Sequence, residues 1–133
     1  MHSALEQVET IKAAIVLAAA DGKISSSERG LLEAFAKRIG IGKASLGAMI
    51  DRAITDQTVR EEMFHRTMSD PRMTLELLVA TARLDGDITT KEREVLIHAR
   101  ELLNIPMDDF AQIYEQGIKR ADSLRKTKFS TES

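Results

Sequence analysis

The sequence predicts an all-α fold, a seven-helix bundle in one domain over residues 1–122, followed by a basic, flexible tail over residues 123–133. Apolar residues recur at helical spacing along nearly the whole chain. The 133 residues include only two prolines and seven glycines, and Ala, Leu, Glu, Lys and Arg, which favour helix, are abundant. A content of 43% hydrophobic residues excludes a disordered chain. The absence of cysteine excludes a disulfide scaffold, zinc–thiolate sites and thiol redox chemistry.

The first four helices follow from apolar stripes of helical period. The first helix is predicted over about residues 4–20 and the second over about 26–39, where Gly40 ends it. A third helix and a shorter fourth helix follow. The stripes consist, in chain order, of Leu5, Val8, Ile11, Ile15 and Ala18; Leu31, Leu32, Phe35 and Ile39; Leu46, Met49, Ile50 and Ile54; and Val59, Met63 and Phe64.

The last three helices are separated by prolines and a glycine-containing loop. Pro71 opens the fifth helix, at the first helical position, where its missing N–H costs nothing. The sixth helix is predicted over about residues 90–103, and Pro106 separates it from the seventh. Their stripes consist of Leu75, Leu78, Val79 and Ala82; Val95, Leu96, Ala99, Leu102 and Leu103; and Phe110, Ile113, Tyr114 and Ile118.

The chain contains an internal repeat. Residues 19–41 align without a gap over residues 83–105, at a shift of 64 positions. The identical pairs are Asp21/Asp85, Gly22/Gly86, Ile24/Ile88, Glu28/Glu92, Arg29/Arg93, Leu32/Leu96 and Ile41/Ile105. We therefore expect two copies of one helix–loop–helix unit, related by approximate two-fold symmetry around one core.

Most residues of the repeated loop are predicted to cap the helices on either side of it. Each copy reads D-G-x-I-[ST]-[ST]-x-E between two helices. The glycines suit a left-handed residue that closes a helix, and the isoleucines would insert into the core. Ser25 and Thr89 suit N-caps, with Glu28 and Glu92 at the third helical position. This arrangement predicts a capping box at the start of each following helix.

The aspartates of the loops fit this account less well. Asp21 and Asp85 follow predicted helices, where the macrodipole disfavours a carboxylate by roughly 0.3–1 kcal/mol. Loop N–H groups in an Asx-type turn can compensate for this cost, and so can a bound cation. The sequence is compatible with both alternatives. Clusters of oxygen ligands suit Ca²⁺ or Mg²⁺ better than Zn²⁺.

The candidate metal ligands are Asp21, Glu28, Asp85, Asp87 and Glu92. The second loop is the better candidate for a metal site, because it has Asp87 where the first loop has Lys23. The positive charge of Lys23 would repel a cation. Neither loop is an EF-hand, because an EF-hand places its glutamate at the twelfth position and these loops span eight residues from Asp to Glu.

At these residues the chain resembles the TerB (tellurite-resistance) family, an all-helical domain also found in some DnaJ-like co-chaperones. The resemblance rests on the pattern A-x-D-G-x-[IV]-x-x-x-E, seen from Ala19 to Glu28, and on its D-G-x-[IV]-x-x-x-E part, seen again between Ala82 and Glu92. It extends over roughly residues 5–121. It implies a seven-helix fold whose paired acidic residues chelate a divalent metal. It also implies a role in tellurite resistance or stress response through partner proteins, in a stress-response or membrane-associated complex.

Two function hypotheses follow, and neither is enzymatic. In the first, the chain is a metal-binding, TerB-like stress protein. In the second, it is an α-helical interaction module whose acidic loops are only helix caps. A net charge of −2 and a pI of about 5.9 argue against nucleic-acid binding. The longest apolar run, residues 13–20, is too short to cross a bilayer, so a cytoplasmic location is expected. No catalytic triad, phosphate-binding loop or zinc-protease motif is present.

Overall fold

The structure, a computed structural model, describes the backbone of residues 4–19, 23–84 and 86–130, and the side chains of residues 8–19, 23–84 and 86–123. Over these residues the chain forms seven α-helices and no strand. In order they are α1 (Ala4–Ala18), α2 (Ser26–Arg38), α3 (Lys43–Thr55), α4 (Gln57–Ser69), α5 (Pro71–Arg83), α6 (Thr90–Leu102) and α7 (Met107–Ser130). The predicted all-α class is confirmed.

The chain divides into two compact units, His2–Asp70 with α1–α4 and Pro71–Ser133 with α5–α7. In the N-terminal unit, fully buried apolar side chains come from α1 and α3, including Ile11, Ile15, Leu46 and Ile50. Its α4 contributes a polar contact, since Arg60 Nη1 donates to the carbonyl oxygens of Ala53 (2.9 Å) and Ile54 (3.1 Å) at the end of α3. These carbonyls have no partner within their own helix, and the arginine satisfies them.

The C-terminal unit is organised by the close packing of α5 against α7. Arg72 pairs with Asp109 near the start of both helices, and Arg83 pairs with Asp122 farther along both, so the two helices run in the same direction. Gly117 lies at a close approach of the two helices, because a Cβ at this position would lie 2.6 Å from Cβ of Val79. The sequence analysis did not single out this glycine.

The repeated helices α2 and α6 end in the same way. At the end of α2, Gly40 has φ +82° and the N–H of Ile41 donates to the carbonyl of Ala36 at 2.8 Å. At the end of α6, Asn104 has φ 58° and the N–H of Ile105 donates to the carbonyl of Arg100 at 3.1 Å. Both ends are Schellman-type caps closed by a left-handed residue. The approximate two-fold relation between the repeats stays a prediction.

Two residues of the predicted apolar stripes are exposed, Phe64 at 37% and Val95 at 39%. In α4 the one buried residue is Thr67, so an apolar side chain on this helix does not imply a core position. Gly86 has φ +142°, which is positive as predicted but more extended than the left-handed helical region. Its counterpart Gly22 lies outside the described residues.

The C-terminal helix is longer than the predicted domain boundary implies. No helix end marks residue 122, because the backbone of α7 remains helical to Ser130. The flexible tail over residues 123–133 stays a prediction.

Candidate functional site

The five predicted metal ligands are not all visible in the structure. Asp21 and Asp85, the two aspartates that follow α1 and α5, lie outside the described residues. Glu28, Asp87 and Glu92 are described. Their contacts show how much of each loop is accounted for by bonds within the protein.

The first loop ends in the predicted capping box. The N–H of Glu28 donates to Ser25 Oγ at 3.1 Å, and the N–H of Ser25 donates to Glu28 Oε1 at 3.0 Å. The backbone of Ser25 is extended, with φ −70° and ψ 163°, as an N-cap requires. The Glu28 carboxylate therefore has a structural role at the start of α2.

The second loop repeats this geometry around a more buried carboxylate. The N–H of Glu92 donates to Thr89 Oγ1 at 3.1 Å, and the N–H of Thr89 donates to Glu92 Oε1 at 3.0 Å. Thr89 has φ −71° and ψ 162°, nearly the same values as Ser25. Glu92 is only 2% exposed. A buried carboxylate requires hydrogen bonds, and the capping box supplies one of them.

Asp87 points away from the core and is held by an arginine. Its side chain is 98% exposed, and its Oδ1 accepts a hydrogen bond from Arg83 Nη1 at 2.6 Å. The same guanidinium donates through Nε to Asp122 Oδ1 on α7, at 3.2 Å. These hydrogen bonds, to Asp87 and then to Asp122, raise the pKa of Arg83 above its ordinary value. Arg83 thus joins the second loop to α7.

The donor chemistry suits a hard divalent cation, but the described donors do not form a site by themselves. Carboxylate oxygens are the ligands that Ca²⁺ and Mg²⁺ prefer. Among the described residues, however, no three Asp, Glu or His side chains are grouped to hold a metal ion. Glu28 and Glu92 each commit one oxygen to a cap, and Asp87 is paired with Arg83. A cation site on the second loop would therefore need Asp85.

Arg83 and Asp122 were not predicted to be neighbours of the second loop. A signal for Arg83 was available in the repeat, because position 83 aligns with Ala19, which is buried in the first copy. Asp122 gave no such signal, since it meets Arg83 only through the packing of α7 on α5.

The N-terminal unit has a shallow groove on its surface. It has a volume of about 510 Å³ and lies between the second half of α2 and the start of α3. Its apolar lining includes Ala34, Ile41 and Leu46, and Lys37 and Lys43 are the basic residues that line it. Lys43 also pairs with Glu33, at 4.0 Å.

No protein-family model, curated protein or solved structure matches the chain. In the part of the chain that the structure describes, none of the helices has the length and apolar character needed to cross a membrane.

Proposed function

We propose that this chain is a TerB-like, non-enzymatic, cytoplasmic protein that acts in tellurite resistance or stress response through partner proteins. The observation that supports the proposal is the matching capping box at the end of each D-G-x-I-[ST]-[ST]-x-E loop. Each loop ends in a reciprocal capping box with matching torsion angles at Ser25 and Thr89. The hydroxyl and glutamate of the pattern thus form the same capping box twice, among the seven helices of the described residues.

We further propose that the second loop binds a divalent cation weakly, through Asp85 and Asp87 with support from Glu92. Asp87 is the most accessible described carboxylate of this group, and Glu92 is a second carboxyl group nearby in sequence. Arg83 opposes binding because its guanidinium already neutralises Asp87. The first loop is the weaker candidate, since Lys23 occupies the position of Asp87.

The second candidate function is an interaction module whose acidic loops serve only as helix caps. One specific observation favours it: every described candidate ligand already has a bond within the protein. In this alternative the loops position the helices, and a surface elsewhere contacts the partner. The groove between α2 and α3 is one concave surface of the N-terminal unit.

Calorimetric titration of chelator-stripped protein with Ca²⁺, Mg²⁺ and Zn²⁺ separates the two candidates. A cation that binds only the folded state stabilises it by about 2.7 kcal/mol at a hundredfold excess over Kd. We expect Asp85→Asn to abolish binding and the exposed control variant Asp51→Asn to retain it. If no cation binds and none shifts the melting temperature, the metal-binding proposal is wrong and the interaction module is the candidate function that is left.

The stress-response part of the proposal is tested in cells. Deletion of the gene should lower the tellurite concentration that the cells tolerate, and a plasmid copy of the wild-type gene should restore it. Unchanged tolerance to tellurite and to other oxidants in the deleted strain would contradict this part of the proposal, whatever the calorimetry shows.

A further inference from the structure

The groove between α2 and α3 combines an apolar lining with a positive charge. Ala34 and Leu46 are among its apolar lining residues. Lys37 and Lys43 also line it, together with one acid, Glu33, which lies 4.0 Å from Lys43. Two lysines and one glutamate give the lining a net charge of +1, and the dipole of α3, which begins at this edge, adds to the positive potential. The groove therefore suits an apolar surface that carries carboxylates.

The α2 side of the groove is open to the backbone at Gly30. This glycine lies in the second turn of α2, where glycine is less favourable than almost any other residue. A Cβ at this position would meet no described atom within 4 Å, so packing within the unit does not require a glycine here. Ala34 lies one turn farther along the same face. These two small residues leave room for another helix to approach α2 closely, as α5 approaches α7 at Gly117.

The equivalent face of α6 has the opposite character. At the repeat shift of 64 positions, three residues of the groove align with larger or acidic residues, as Gly30/Glu94, Ala34/His98 and Lys37/Glu101. The side chains of His98 and Glu101 are 63% and 59% exposed, and Val95 is 39% exposed. We call Glu94, Val95, His98 and Glu101 the α6 stripe. It presents an apolar side chain together with two carboxylates on one exposed helix face.

We propose that the groove between α2 and α3 binds the α6 stripe of a second copy of this chain. Val95 contacts the apolar lining, and Glu94 and Glu101 lie near the lysines of the groove. Because the contact joins two different surfaces, each molecule offers both, and the copies associate head to tail. A contact one helix wide is smaller than a stable interface, so the association is weak and sensitive to salt. It is independent of cation binding, and EDTA is present in every experiment.

Sedimentation equilibrium of the wild-type protein tests the association itself. We expect the weight-average mass to exceed the monomer mass of 14.8 kDa as the protein concentration approaches about 1 mM. In about 0.5 M NaCl the mass should return toward that of the monomer. A monomer mass at every concentration would overturn the proposal and leave the groove to a different protein. An association that salt does not weaken would overturn the charge pairing.

Two charge-reversed variants test whether these two surfaces bind each other. The groove variant carries Lys37→Glu and Lys43→Glu, and the stripe variant carries Glu94→Lys and Glu101→Lys. Each variant alone brings like charges together, so we expect its self-association to be at least about tenfold weaker than that of the wild type. A mixture of the two variants restores opposite charges at each contact. The mixture should therefore associate although neither variant does so alone.

A third variant controls for the change in net charge. Arg66→Glu and Lys119→Glu together change the charge as much as the groove variant does, at side chains that are 67% and 74% exposed on α4 and α7. Both residues lie outside the groove and the α6 stripe, so this variant should associate like the wild type. Circular dichroism establishes that every variant is folded. If the mixture of folded groove and stripe variants stayed monomeric, the pairing of these surfaces would be wrong.

Gly30→Ala tests the close approach of the helices without a change in charge. It adds a methyl group at the groove, whereas the matched change Gly47→Ala adds one on α3 outside the groove lining. Alanine favours helix at both positions, and neither added Cβ meets a described atom within 4 Å, so both variants should fold. We expect Gly30→Ala to weaken self-association at least about fivefold and Gly47→Ala to leave it unchanged. Equal self-association of the two variants would overturn docking of α6 against Gly30.

Discussion

Gly117→Ala tests the close packing of α5 and α7. Alanine is favoured over glycine in a helix interior by roughly 0.5–1 kcal/mol. The added Cβ would, however, lie 2.6 Å from both Cβ and Cγ1 of Val79 and 2.9 Å from the carbonyl oxygen of Glu76. Ordinary contacts between carbon atoms are about 3.5–4.0 Å long, so the two helices would have to separate by about 1 Å.

The expected net effect is a loss of stability. Overpacking of a well-packed contact costs about 1–3 kcal/mol, which exceeds the gain in helix propensity. Gly47→Ala is the matched control, because Gly47 lies inside α3 and a Cβ there meets nothing within 4 Å. We therefore expect Gly117→Ala to lower the free energy of unfolding by about 1–2 kcal/mol and Gly47→Ala to raise it by up to about 1 kcal/mol.

Urea denaturation followed by circular dichroism at 222 nm measures both changes. For a domain of this size, a loss of about 2 kcal/mol moves the unfolding midpoint by roughly 1 M. Val79→Ala should not rescue Gly117→Ala, because the nearest atoms include Cβ of Val79, which alanine retains. If Gly117→Ala stabilised the protein as much as Gly47→Ala does, the close approach of α5 and α7 would be refuted.

The other predictions concern the ends of the repeated helices, and urea denaturation measures them too. Thr89→Ala and Ser25→Ala should each destabilise the protein by about 0.5–2 kcal/mol, with or without Ca²⁺, because the N-cap bond is lost in either case. The Thr89 variant should lose more free energy of unfolding, since its partner Glu92 is buried. An unchanged unfolding midpoint in both variants would mean that these caps do not stabilise the helices. Asn104→Gly should leave stability nearly unchanged and Asn104→Ala should lower it by about 1 kcal/mol, because Asn104 has φ 58°. Equal stability of the two Asn104 variants would contradict a left-handed cap.

Features that depend on neighbouring residues in the sequence were predicted correctly. The capping boxes at Ser25 and Thr89 follow from a hydroxyl and a glutamate three residues apart, and both are present. The start of α5 at Pro71 follows from the chemistry of proline and is also confirmed. These predictions succeed because a cap involves a few consecutive residues, so tertiary packing has little influence on it.

Features that depend on packing between distant segments were not predicted. Helical periodicity identified Phe64 and Val95 as apolar positions, but periodicity does not reveal whether another helix covers a given face. The close contact of Gly117 with Val79 joins residues 38 positions apart, and the bond from Arg83 to Asp122 joins residues 39 positions apart. Neither pair has a spacing rule that could indicate the contact in advance.

The acidic loops show why a carboxylate cluster in a sequence is an incomplete argument for a metal. A carboxylate after a helix requires compensation, but a side-chain cation or backbone N–H groups can supply it as well as a metal ion can. In the second loop Arg83 supplies it to Asp87. Glu92 lies in the first turn of α6, where the helix dipole favours a carboxylate and the N–H of Thr89 donates to it. The extra acid that made the second loop the better metal candidate is thus the residue with the clearest internal partner. A metal ion at this loop would therefore have to compete with the Arg83 guanidinium for Asp87.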